Sequence, residues 1–147
     1  MSSTLSCFDV AEYFLAKSDE EAGDVISNLN LQKLVYYAQG FSLAINNRPM
    51  FPEEICAWQH GPACPELYRK YKQYGALGIP IPEEVDFSKF SEDDKALLDE
   101  VYDVYGQFSA WKLRNMTHKE APWRDTPIND VIPHESMKAF FQSRLNG

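Results

Sequence analysis

Cysteine is scarce and unpaired in number. The three present, Cys7, Cys56 and Cys64, make no disulfide framework, and 147 residues can bury a core without one. A reducing cytoplasm is the expected compartment. No stretch approaches the ~20 apolar residues of a bilayer span, and the N-terminal MSSTLSCFDVAEYFL lacks the basic flank and unbroken apolar core of a signal peptide. Neither secretion nor a membrane partner is expected. Positive charge is also short: 14 Lys and Arg against 22 Asp and Glu give a net charge of −8. That balance opposes the phosphate neutralisation on which nucleic-acid affinity rests, so no nucleic-acid partner is expected for this chain alone. The local group Arg69, Lys70 and Lys72 reads as the solvated face of a helix. Absent too are GxSxG, HExxH, a Walker loop and a dinucleotide fingerprint. Nor is there a repeat, linker or low-complexity segment, which leaves one domain over residues 1–147.

What the chain has in quantity is aromatic side chains, 14% of its residues, concentrated from Leu31 to Gly75 around the turn Trp58-Gln59-His60-Gly61-Pro62. Gly61 reaches backbone angles closed to other residues and Pro62 fixes its own φ, so the pair defines a turn. Hydrophobic spacing and caps predict helices on either side of it. Ser6 with Asp9 reads as a capping-box variant ahead of Val10, Phe14 and Leu15, and the polar run Lys17 to Asp24 ends that helix. Ser27 or Asn28 caps a second helix through Leu31, Leu34, Val35, Ala38, Phe41 and Ile45, stopping near Asn46 before Pro49. Pro65 opens a third helix that meets Gly75, and Ala76 to Phe90 reads as a surface loop. Ser91 caps a helix that runs to Gly106, Ser109 caps the next, and Pro133 starts a terminal helix through Met137, Phe140, Phe141 and Leu145. The expected fold is mainly α, a single compact helical domain of about five to six helices, with at most a short β-hairpin or extended segment, an edge strand or loop, near residues 51–60.

Two chemical arrangements are conceivable on residue type alone. Cys56, His60 and Cys64, with Cys7 or His118 as a fourth donor, do not match a structural zinc pattern, and buried free thiols account for them better. No metal or cofactor is expected. A Cys or Ser nucleophile beside His60 or His118, oriented by Glu66 or Glu120, is the minimal hydrolytic or transferase arrangement, but no spacing assembles it, so no catalytic residue is expected. Adjacent Tyr36 and Tyr37 cannot share one helix face, which makes at least one of their rings a candidate for contact with a partner.

The blocks Leu31-Gln32-Lys33-Leu34-Val35-Tyr36-Tyr37-Ala38-Gln39-Gly40, Ala57 to Pro62, Leu67-Tyr68, Tyr74-Gly75 and Thr117-His118-Lys119-Glu120-Ala121-Pro122-Trp123 together resemble the Panacea domain, earlier known as the GepA-like phage-associated family. The resemblance implies a type II antitoxin of a bacterium or prophage, which binds and blocks a protein toxin encoded by the adjacent gene. One branch of the family delivers its toxin to a protease instead. Candidate partner-binding residues are then Tyr36, Trp58, His60, Tyr68, Trp111, His118 and Trp123, with Gly61, Pro62 and Pro122 as structural positions. Cys64 departs from the aliphatic residue more usual there, and no DNA-binding segment is appended. The two aromatic turns, at 58–62 and 117–123, are expected to pack together and frame one face.

Overall fold

A computed structural model describes residues 5–18 and 25–146. Seven α-helices and one hairpin make up its regular structure, with single 3₁₀ turns at Lys72–Tyr74 and Phe87–Lys89: α1 (Cys7–Lys17), α2 (Asn28–Asn46), β1 (Cys56–Trp58), β2 (Gly61–Ala63), α3 (Pro65–Tyr71), α4 (Glu92–Tyr105), α5 (Ala110–His118), α6 (Ala121–Arg124) and α7 (His134–Asn146). The helix beyond the expected five or six is the single turn α6 inside the second aromatic block. Residues 19–24, where the first helix was expected to run out into a polar segment, lie outside the described residues.

Local chemistry sets the helix starts. The Asp9 amide donates to Ser6 Oγ at 3.1 Å while the Ser6 amide donates to Asp9 Oδ2 at 2.9 Å, closing a capping box on α1. Ser27, Ser91 and Ser109 each accept from the amide three residues on, capping α2, α4 and α5, and such a cap contributes about 1 kcal/mol. Asn47, left-handed at φ 57°, ends α2. β1 pairs antiparallel with β2, Ala57 opposite Pro62, and Gln59-His60 make the turn. The expectation of an edge strand is corrected on one point. Backbone groups of 129–132 bond the other side of β1, the Ala57 amide donating to Asp130 O at 2.9 Å and the Asn129 amide to Ala57 O at 2.7 Å. β2, which carries Pro62 and its missing N–H, is the edge instead.

Everything is arranged around α2. Residues 31–40 are all buried, because α1, α4, α5, α7 and the hairpin surround the helix on every side. No solvated face is left for its polar side chains, so each needs an internal partner. Gln39 accepts from the Met50 amide at 2.8 Å and donates to Phe51 O at 2.9 Å, fixing the chain just beyond Pro49. Gln32 accepts from the Cys64 amide at 2.8 Å and donates to Asn28 Oδ1 at 2.9 Å, and Asn28 donates to Tyr68 O at 3.2 Å. Two side-chain amides thus hold the hairpin's entry and exit against one helix. Among the described residues no helix is long and apolar enough to cross a membrane.

Gly40 is the point of closest approach between α2 and α7. A Cβ there would lie 2.1 Å from the ring of Phe141, itself buried and packed on Tyr36, Tyr37 and Phe41. Gly40→Ala is therefore expected to cost about 2–3 kcal/mol in chemical denaturation, since α7 must shift to admit the methyl group.

Candidate functional site

The two aromatic turns meet. Trp123 Nε1 donates to Trp58 O at 2.7 Å, which ties α6 to the end of β1 across 65 positions of sequence. The His118 imidazole stacks on the Trp123 indole with centroids 3.9 Å apart and planes 6° from parallel, while Trp58 meets Tyr68 edge-on at 5.2 Å. Four of the residues expected from sequence therefore form two linked ring pairs, each residue partly exposed.

Glu120 sets the position of this second turn. Its carboxylate is buried and accepts from Tyr36 Oη at 3.0 Å and Tyr37 Oη at 2.8 Å. Burial raises the Glu120 pKa, and the two phenol donors act against that by favouring the charged form. Burial also pushes both tyrosines well above the ordinary phenol value. The expectation that one of these rings faces a partner is corrected here, since both tyrosines are 0% exposed. The two rings pack 5.0 Å apart, and one carboxylate reaches both hydroxyls on a helix enclosed on all sides. Pro122 is buried in the first turn of α6, where its missing N–H costs nothing.

Gly61 closes the hairpin over Lys33. Its φ is +111°, and a Cβ would stand 2.6 Å from Lys33 Cε and 2.8 Å from Thr117 Oγ1, so both conformation and space demand glycine. Lys33 is 2% exposed, and no hydrogen bond or ion pair is made to it among the described residues. Desolvation, with repulsion from Arg114 second, lowers its pKa from 10.5 to about 7. Sequence reasoning passed over this residue, because a lysine on a helix is ordinarily solvated. The one available signal is that Lys33 sits at helical spacing among apolar neighbours.

Lys33 forms the inner wall of a pocket of about 210 Å³ lined also by Leu29, His60, Ala110, Trp111 and Arg114. The rim is open: His60 is exposed, Trp111 is 67% exposed, and the Arg114 guanidinium lies 5.1 Å from the centre of the Trp111 ring. No serine, cysteine or carboxylate lines this pocket. The lining of this pocket does not assemble the hydrolytic arrangement: Glu120 is engaged by Tyr36 and Tyr37, and the three buried cysteines are not part of the lining. His118 is lowered in pKa, mainly by desolvation and then by Arg114, and its Nε2 is buried without a partner. Among the described residues no group of three His, Cys, Asp or Glu side chains is placed to hold a metal. A second, apolar cleft of about 290 Å³, which sequence reasoning did not single out, lies between α2, α4 and α7 beside Phe41, Ile45, Val101, Val104 and Leu145.

Residues 31–124, more than half of the chain, match the family model described as "Antitoxin SocA-like, Panacea domain". The chain belongs to this antitoxin family. Over 50 residues it is 44% identical to antitoxin SocA of Caulobacter vibrioides (strain NA1000 / CB15N), a match covering 34% of this chain and 27% of that relative. The chain is thus aligned with about a quarter of the length of the relative. No solved structure is significantly similar to it. The Panacea match begins at Leu31, on the buried part of α2, and ends at Arg124, in the turn that carries Trp123. Its bounds therefore enclose every contact described above between α2, the hairpin and α6.

Lys33 gives the domain a distinctive pH response. Between about pH 7 and 10.5 the unfolded chain holds a Lys33 proton that the folded chain gives up, so stability climbs with pH. Above about pH 10 the unfolded chain loses phenol protons that Tyr36 and Tyr37 keep when folded, and stability falls. Urea denaturation across pH 6–11 should show a maximum near pH 10, and Lys33→Met should flatten the rising limb and stabilise the protein at pH 6 by about 1–4 kcal/mol.

Proposed function

We propose that this chain is a type II antitoxin that neutralises a protein toxin, encoded by the adjacent gene, by binding it directly. Family membership supports the antitoxin role, and one observation supports the binding face: Trp111 stands 67% exposed at the rim of the pocket that it lines together with His60 of the hairpin turn. A large ring left in solvent at the rim of a concavity is the kind of side chain that anchors a protein interface. His60 lies at the same rim, and Arg114 braces the indole, which lowers the cost of ordering that ring on binding. The net charge of −8 favours encounter with a basic toxin by raising the association rate. The cytoplasm is where such a toxin would be met.

Co-expression with the neighbouring gene product tests this reading. Growth rescue and a co-purifying complex are expected, and failure of both sinks the proposal. Trp111→Ala should weaken the complex about 10- to 100-fold by calorimetry while leaving the unfolding midpoint almost unmoved, as befits a ring that contributes little to the core. Toxin half-life in cells with and without the chain separates sequestration, which leaves the half-life unchanged or longer, from delivery to a protease, which shortens it.

A further inference from the structure

The pocket behind Trp111 collects positive charge within an acidic protein. Lys33 and Arg114 line it, His60 is at its rim, and no carboxylate lines it. Lys33 is held there by construction. Its stem runs under Gly61, whose missing side chain makes room for it, and the residue as a whole is 2% exposed. An aliphatic side chain of similar length would fill the same space without the cost of desolvating an amine, so packing gives no reason for a lysine at this position. What an amine adds is a donor at the inner end of a cavity, with a guanidinium beside it.

We propose that this pocket is an oxyanion-binding site, in which Lys33 Nζ and the Arg114 guanidinium hold a carboxylate or phosphate group while Leu29, Ala110 and Trp111 receive the rest of the ligand. A guanidinium offers paired donors to either group, and the bound anion supplies the counter-charge that the lining of the pocket lacks. The volume of about 210 Å³ admits a small dicarboxylate, an inorganic phosphate or a short acidic side chain, not a folded domain. A bound anion also favours the ammonium form. Lys33 in the empty pocket loses its proton near pH 7, facing Arg114 and, more weakly, His118, so binding at pH 8 draws a proton onto Nζ.

The purified full chain is titrated with glutarate and separately with inorganic phosphate at pH 8, following Trp fluorescence and the Lys33 Cε resonance of protein labelled in its lysines. Saturable binding in the millimolar range or tighter is expected for at least one anion, and the stronger of the two identifies carboxylate or phosphate as the natural group. Lys33→Met, which should remain folded and be more stable, and Arg114→Gln should each weaken it at least 10-fold. Lys72→Gln, on the exposed surface, should not. Calorimetry in buffers of different ionisation heat should find proton uptake in the wild type and none in Lys33→Met. Absence of saturation by both anions, or equal binding by Lys33→Met, overturns the proposal. Toxin binding enters none of these measurements, so their outcome is independent of the antitoxin reading.

Discussion

The carboxylate of Glu120, shared by the hydroxyls of Tyr36 and Tyr37, is the contact on which the arrangement of the molecule turns. It joins the middle of the central helix to a turn more than eighty residues further along the chain. Once Glu120 is fixed, α6 begins at the next residue with Pro122 in its first turn, and Trp123 is delivered to the Trp58 carbonyl. A buried carboxylate with one donor would be a liability. With two phenols it becomes a three-member network whose members are each satisfied, and such networks specify one packing in preference to near alternatives.

The same logic runs along all of α2. A helix buried on every face is usually apolar on every face, yet this one carries Gln32, Lys33, Tyr36, Tyr37 and Gln39 in its most enclosed stretch. Four of these five are spent on tying irregular segments to the helix: Gln32 takes the backbone at Cys64, Gln39 the backbone at Met50 and Phe51, and the tyrosines take Glu120. Hydrogen bonds to side chains substitute for a sheet in holding the loops and the hairpin. Lys33 is the exception. Its neighbours desolvate it without pairing it, so it costs stability where the other four contribute.

Much of the local structure was legible in the sequence, because it follows from rules acting over three or four residues. The serine caps at 6, 27, 91 and 109 are such cases, and so are the end of α2 near Asn46 and the turn before Pro62. The packing of the two aromatic turns was also anticipated, from the resemblance of both blocks to one family. The roles of Tyr36, Glu120 and Lys33 were not. An adjacent tyrosine pair reads as one ring in and one ring out only if the helix has an outside, and helical spacing alone does not tell a helix covered on one side from one covered on all. Glu120 and Lys33 have the composition of surface residues, and only long-range packing reveals that one is paired and the other is not.

The division between those two charged residues bears on how a small acidic domain presents a specific face. The Glu120 network is closed, with its donors and acceptors used internally, and it serves rigidity. The Lys33 site is open at one end, short of a counter-charge, and roofed by exposed Trp111 and His60 on elements that the closed network positions. Rigid support beneath an unsatisfied, accessible group is the physical condition for recognition, since the ordering has been done in folding and the missing interaction is supplied by what binds. In this chain the Thr117 hydroxyl donates to the Arg114 carbonyl in the same helix that leads into Glu120 and Trp123, so a ligand gripped at Lys33 and Arg114 would press on a surface tied down by the contacts of Thr117, Glu120 and Trp123.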